Sequence, residues 1–311
     1  WKSTQYLFYK QWFSLKKAAK ERGISLIGDM PIYVSEDSSD VWTHPELFQM
    51  DEELRPLRVA GCPPDGFSES GQLWGNPLFN WKRMKERGYD WWIRRIEYQF
   101  RLYDVLRIDH FRGFESYYSI PSGDKDARNG RWEPGPGIDL FNCIEQKLGK
   151  KDIIAEDLGF ITEEVRKLLM DTGYPGMKVL QFGFDSRDGG GRTYQPHNYP
   201  ENSVAYVGTH DNDTALGWLE TAYQGDVELA REYLHLDKNE GENWGMMRAV
   251  WASPSKLAIV QMQDILDKGS EGRMNTPSTL GNNWQWRAEP GDISEALAQR
   301  VHRQMYLYER L

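Results

Sequence analysis

Two short runs decide the fold of this 311-residue chain: Val105-Leu106-Arg107-Ile108-Asp109 and Ile153-Ile154-Ala155-Glu156. Each follows a stretch of helical periodicity, is apolar but too short for a buried helix, and stops at a carboxylate. Working outward, the same grammar recurs. Helical spacing in Tyr6-Leu7-Phe8, Trp12-Phe13, Leu15 and Ala18-Ala19 stops at Gly23 and leads into Ile24–Ile27, closed by Gly28-Asp29. A helix predicted from about Trp81 to Tyr103 precedes the Asp109 run, and one from Leu140 to Leu148 precedes the Glu156 run. Thr162 to Thr172 leads into Lys178-Val179-Leu180-Gln181-Phe182; Val204–Val207 ends in Gly208-Thr209-His210-Asp211; after two more helices Leu257–Met262 ends at Gln263-Asp264. Strands interleaved with helices in this way predict an α/β fold with a parallel sheet buried on both faces.

Strand runs that end in or run into Asp29, Asp109, Glu156 and Asp211 favour an incomplete (β/α)8 barrel, because there the C-terminal strand ends converge on one face. An open doubly wound sheet would spread them along a line. No GxGxxG follows a strand and no GxxxxGK[ST] occurs, so nucleotide-binding folds gain no support. The expected organisation is one catalytic barrel portion over 1–311, with about six strands visible and two unseen, and with 35–80 as an active-site loop or subdomain insertion. That insertion holds Gly61-Cys62-Pro63-Pro64-Asp65-Gly66-Phe67-Ser68 and Gly71-Gln72-Leu73-Trp74-Gly75-Asn76-Pro77. It reads either as a substrate-stacking lid or as a turn-rich loop whose Phe67 and Trp74 plug the barrel rim.

Composition narrows the partners. With 38 Lys+Arg against 47 Asp+Glu the net charge is -9, the wrong sign for phosphate backbones or anionic lipid. Neither nucleic acid nor a membrane is expected as a partner. No apolar run is long enough to span a bilayer, and the two cysteines, Cys62 and Cys143, are too few for a disulfide framework. A reducing, cytoplasmic location fits, or a plastid if the source is a plant or alga. Aromatics make up 13% of the chain although its mean hydropathy is -0.71, so aromatic surface must lie beside polar groups.

Arg107 and Asp109 are two apart on a strand, so their side chains leave one face. A fixed guanidinium favours the ionised carboxyl, which suits a nucleophile. Glu156 closes an apolar run, and burial there would push its carboxyl toward proton donation. Such a pair suits glycoside chemistry: about 5 to 5.5 Å apart the two carboxyls give retention through a covalent intermediate, about 6.5 to 9.5 Å apart inversion. Asp211 beside His210 supplies a third acid, able to hold sugar hydroxyls and stabilise oxocarbenium-like charge, and His110 could donate to the same sugar. Each acid taken singly also reads as a structural ion pair. A metal cluster is the competing reading; against it stand the absence of HxH or HExxH and the arginine beside Asp109. Neither metal nor cofactor is expected.

The strings Gly28-Asp29-Met30-Pro31-Ile32-Tyr33-Val34, Gly61-Cys62-Pro63-Pro64-Asp65 with Trp74-Gly75-Asn76-Pro77, Arg107-Ile108-Asp109-His110-Phe111-Arg112-Gly113, Ala155-Glu156-Asp157-Leu158-Gly159, Thr209-His210-Asp211-Asn212, and Arg273-Met274-Asn275-Thr276-Pro277 with Asn283-Trp284-Gln285-Trp286-Arg287 closely resemble the 4-α-glucanotransferases of glycoside hydrolase family 77, the amylomaltases or disproportionating enzymes of the α-amylase clan. The resemblance runs essentially end to end. It implies transfer of α-1,4-glucan segments between maltooligosaccharides, without a cofactor, with Asp109 as nucleophile, Glu156 as general acid/base and Asp211 as transition-state stabiliser. It also implies that Asp29, Arg107, His110, His210 and Asn275 line the donor sugar site, that Trp74 and Phe67 belong to a loop over the acceptor side, and that Tyr33 and Asn76, inside matching strings, contact substrate. An α-glucan hydrolase using the same three acids and an inactive glucan-binding fragment are the alternatives.

Two departures from the family pattern stand out. Its loop often carries two adjacent aromatics where this chain has Gly66-Phe67, which removes one stacking surface. Family members are also longer, and the first two barrel strands and the acceptor-side subdomain would precede Trp1. The chain is therefore expected to be a piece of a longer protein, completed by its missing N-terminal segment or by another chain, and poorly folded or inactive if purified as written.

Overall fold

A computed structural model of the chain describes residues 1–64, 69–187, 190–277 and 279–311. They form two compact units, Trp1–Gly176 and Met177–Leu311. Of the expected site residues, only Phe67 lies outside the described residues.

The first unit runs α1 (Lys2–Lys20), β1 (Ile27–Met30), α2 (Ser39–Thr43), β2 (Arg58–Cys62), β3 (Gln72–Pro77), α3 (Trp81–Glu86), α4 (Asp90–Leu102), β4 (Val105–Ile108), β5 (Ser116–Pro121), β6 (Arg131–Pro134), α5 (Ile138–Leu148), β7 (Ile153–Ala155) and α6 (Glu163–Thr172). Strands β1, β4 and β7 form a parallel sheet in that order, with Asp29 opposite Arg107 and Ile108 opposite Ala155. This register is what brings the strand-end carboxylates together. Helix α4 turns Trp91, Trp92 and Ile96 inward and α5 turns Leu140, Phe141 and Ile144 inward, the faces their 3.6-residue periodicity sets aside. Trp92 is fully buried, with ring centroids of Phe114 at 5.1 Å and Phe79 at 5.3 Å. Much of the aromatic content thus goes into this core.

The structure shifts several sequence expectations. The first strand is Ile27–Met30, not Ile24–Ile27, so Asp29 lies within the strand and not beyond its end. Gly28 explains the shift: a Cβ there would come within 2.1 Å of the Tyr103 ring, so this position lies against the chain entering β4. The single helix expected over 81–103 is two, because Gly88 and Tyr89 both take left-handed backbone (φ 63° and 54°) and turn the chain before Asp90. The segment 35–80 is not simply a loop. Its β2 and β3 join β5 and β6 in an antiparallel sheet ordered β3-β2-β5-β6, so residues 116–134, for which no strand was expected, complete it.

The second unit runs β8 (Gly176–Val179), β9 (Ser203–Tyr206), α7 (Ala215–Thr221), α8 (Gln224–Leu234), α9 (Glu242–Trp251), β10 (Leu257–Ile259), α10 (Met262–Ile265) and α11 (Glu295–Leu307). Its sheet has the order β10-β9-β8, with β10 and β9 parallel. Three helices separate β9 from β10 where two were expected; Ala222 and Tyr223, both extended, interrupt the pattern. The strand expected at Lys178–Phe182 gives way at Leu180 to a 3-10 turn. Trp244, Met246, Met247 and Val250 of α9 centre the core of this unit. Both units are thus α/β in construction, each around a three-stranded sheet.

Candidate active site

In the first unit the site grows from the pairing of β4 with β7. Ile108 and Ala155 are register partners, so the next residues, Asp109 and Glu156, emerge side by side. Backbone bonds fix both: Asp109 N–H donates to the Met30 carbonyl (3.0 Å), Glu156 N–H to the Ile108 carbonyl (3.0 Å). Glu156 is 9% exposed, and each of its carboxylate oxygens accepts a backbone N–H: Oε2 from His110 and Oε1 from Leu158, both at 2.7 Å. Asp109 is open to solvent over 42% of its side chain.

Arg107 organises the charges. Its Nη1 lies 2.6 and 2.7 Å from the two oxygens of Asp29, and its Nη2 lies 3.1 Å from Asp109 Oδ1. Burial pulls the guanidinium down, but the surrounding Asp29, Asp109 and Glu156 carboxylates overcome it and hold it protonated more firmly than a free arginine. The Glu156 carboxyl is pushed up to about 7, first by burial and then by the charge on Asp109, with Arg107 and the two N–H donors pulling the other way. The result is a carboxyl that keeps its proton near neutrality beside Asp109, which the Arg107 guanidinium contacts at 3.1 Å.

His110, with left-handed backbone (φ 51°), packs edge-on to Trp74 at 4.8 Å. Burial, then the nearby Arg112 charge, push the imidazole down to about 3, so it is neutral at ordinary pH; its Nε2 is buried with no hydrogen-bond partner among the described residues. Trp74 also lies 6.2 Å from Tyr33. Tyr33 is buried and stacks on Phe79, which places its ring among the core residues beneath Trp74. The Asn76 amide donates to the Val34 carbonyl (3.0 Å), tying the Trp74 strand to the segment after β1.

The second unit holds the other group. Thr209 N–H and its hydroxyl both donate to Asn212 Oδ1 at 2.9 Å, a side-chain-closed turn that presents His210 and Asp211. Asn275 donates to Asp211 Oδ1 at 2.6 Å, Arg273 donates to the Asp211 carbonyl at 2.8 Å, and His210 Nε2 stands 3.3 Å from Asp211 Oδ2. The turn is anchored from below by Asp264, fully buried, whose Oδ1 accepts Ala215 N–H at the start of α7 (2.6 Å). The expected residues Asp211, His210 and Asn275 are thus brought together. Sequence reasoning did not assign Arg273, Asp264 or Trp284 a role; the exposed Trp284 lies 5.1 Å from the His210 ring. A tryptophan in a glycine- and asparagine-rich segment, away from any periodic pattern, was the available signal. Among the described residues no group of three or more His, Cys, Asp or Glu could hold a metal ion, and no helix is long and apolar enough to cross a membrane.

A family model described as 4-alpha-glucanotransferase matches residues 1–293. A 4-alpha-glucanotransferase of Clostridium butyricum is 50% identical over all of this chain, which covers 64% of that protein. One from Streptococcus pneumoniae is 48% identical, covering 99% of this chain and 61% of its own length. The structure of an amylomaltase from Streptococcus agalactiae in complex with acarbose superposes with a TM-score of 0.95 at 48% identity, over 99% of this chain and 62% of that one. The chain therefore spans less than two thirds of the length of these relatives. A match over nearly every residue, in sequence and in backbone, shows that the chain belongs to the 4-alpha-glucanotransferase family, glycoside hydrolase family 77.

Proposed function

We propose that the protein carrying this chain is a retaining 4-α-glucanotransferase that moves α-1,4-glucan segments between maltooligosaccharides. The observation that carries the reading is the contrast at adjacent strand ends: Glu156 buried with its carboxyl pushed up to about 7 beside the solvent-reachable, Arg107-paired Asp109. Asp109 attacks the anomeric carbon while Glu156 gives its proton to the glycosidic oxygen, releasing the reducing-end fragment and leaving a glycosyl ester on Asp109. Glu156, now a carboxylate, takes the proton from an acceptor 4-hydroxyl, which attacks the ester and restores the α-configuration. Arg107 holds Asp29 and Asp109 in place and offsets their charge before the sugar arrives. Asp211, steadied by Asn275 and Arg273, is the family's stabiliser of the oxocarbenium-like charge.

The neutral His110 and the Trp74 face beside it suit a sugar, which stacks its C–H groups on aromatic rings and needs hydrogen-bond donors without charge. The acarbose bound by the S. agalactiae relative is consistent with a glucan-like ligand here. The finer architecture belongs to the same reading: an incomplete (β/α)8 barrel portion, about strands 3 to 8, with 35–80 as an active-site loop or subdomain insertion. Incubation with maltotriose tests the function: glucose plus a ladder of longer maltooligosaccharides is expected, and shortening alone would make the protein a hydrolase. Asp109→Asn must abolish turnover while glucan binding persists; unchanged turnover rejects the assignment.

A further inference from the structure

Arg112 is a charged side chain only 4% exposed, with no carboxylate in salt-bridge contact among the described residues. A guanidinium so placed costs free energy unless its donors and faces are used. Nε has no hydrogen-bond partner among the described residues, but the two terminal nitrogens and one face are used in a specific way. Nη1 donates to the Phe160 carbonyl, Nη2 donates to Ser116 Oγ at 2.9 Å, and Ser116 Oγ donates in turn to Glu115 Oε2 at 2.6 Å. The Trp132 ring covers the guanidinium at 3.8 Å. Arg112 thus belongs to the 3-10 turn Phe111–Phe114 that follows Asp109, reaches the loop that follows Glu156, and is held on its far side by β5 and β6.

The two segments it joins are those that supply the N–H donors to Glu156. His110 N–H, at the head of the turn, binds Oε2; Leu158 N–H, two residues before Phe160, binds Oε1. The spacing of these donors fixes where the carboxyl points. We propose that Arg112, stacked on Trp132, is a positioning residue that clamps the Leu158–Phe160 loop to the Phe111–Phe114 turn and so aims the Glu156 carboxyl at the glycosidic oxygen. The inference rests on the reading of Glu156 as general acid/base. It also gives the antiparallel sheet a task, since β5 and β6 supply Ser116 and Trp132 to the clamp.

Loosening the clamp removes the Leu158 donor, which stabilises the ionised form of Glu156, so the carboxyl should hold its proton to still higher pH. The charged groups around it are Arg107 on β4 and Asp109 beyond it, with the neutral His110 in the turn and Asp157 on its own loop; those around Arg112 are Glu115, Cys62 and His110. Of these, His110 loses the Arg112 charge that helps keep it neutral in Arg112→Met and retains it in Arg112→Lys, so the lysine and Trp132 variants separate the clamp from that electrostatic effect.

The test compares Arg112→Met, Arg112→Lys, Trp132→Ala and Glu156→Gln in the full-length polypeptide, measuring kcat, KM and the alkaline limb of kcat/KM with maltotriose. Arg112→Met is expected to lower kcat about tenfold or more with KM changed less than about threefold, and to move the alkaline limb upward. Arg112→Lys should recover part of kcat, and Trp132→Ala should shift the limb the same way but less. If Arg112→Met does not fold, the lysine and Trp132 variants carry the same readout. Wild-type kcat and an unmoved limb in the folded variants overturn the clamp, whereas full turnover by Glu156→Gln overturns the acid/base reading itself.

Discussion

Arg107 and Asp29, register partners on β1 and β4, meet twice: one guanidinium nitrogen lies 2.6 and 2.7 Å from the two carboxylate oxygens. The same guanidinium touches Asp109 at 3.1 Å, so a single side chain, 9% exposed, balances the acids of three neighbouring strands. Arg107→Met leaves those carboxylates facing one another without a counter-charge. Because Asp29 and Asp109 are 44% and 42% exposed, solvent screens part of that loss and the stability cost is about 1–2 kcal/mol, while kcat/KM is expected to fall at least about 100-fold. Thermal unfolding and maltotriose kinetics on one preparation check both.

The proton on Glu156 gives the pH dependence its sign. The carboxyl is raised from 4.5 to about 7, so the folded protein holds a proton that the unfolded chain has released between those values, and stability falls as pH rises through that window. The decline due to this group is on the order of 3 kcal/mol. Glu156→Gln, neutral throughout, is expected to flatten that part of the stability–pH curve, read from denaturant midpoints at pH 4.5 to 8. For the wild type, kcat/KM should decline on the alkaline side with an apparent pKa near the same value.

Asn275 holds Asp211 Oδ1 at 2.6 Å. Asn275→Asp replaces that donor with a like charge and is expected to lower kcat about tenfold or more, while the melting temperature moves little because the side chain lies near the surface. Asn275→Ala should fall between the two. Parallel kinetics and calorimetry separate the chemical effect from a folding defect.

Trp92 tests the core. It is fully buried among Phe79, Trp81, Trp91 and Phe114, and its Nε1 has no hydrogen-bond partner among the described residues. Trp92→Ala is expected to cost about 3–5 kcal/mol. Trp92→Phe should cost distinctly less, because it keeps most ring contacts and removes an unsatisfied donor. Chemical denaturation of both variants gives the comparison.

What could be read from the sequence was what local pattern controls. The runs ending at Asp109 and Glu156 are apolar because they are buried in a parallel sheet, and Thr162 announces α6 because its hydroxyl caps the Val165 N–H. What could not be read depends on distant partners. The antiparallel sheet joins strands on either side of Asp109, short and partly polar, whose alternation is broken at Gly61 and whose pairing no local rule predicts. Arg112 sat inside a quoted motif without a role, since its donors reach Phe160 in one direction and Ser116 in the other. The kink at Gly88-Tyr89 was hidden by helix-forming residues on both sides.

The account depends on a glycosyl ester forming on Asp109. Glu156→Gln in the full-length polypeptide, given an α-maltosyl fluoride, tests this directly: fluoride leaves without needing a proton, but the ester cannot be released efficiently without the base. Mass spectrometry of the quenched protein should find one maltosyl adduct, mapped to the peptide containing Asp109. An adduct on a different carboxylate, or turnover that yields a product of inverted configuration with no adduct at all, would contradict it.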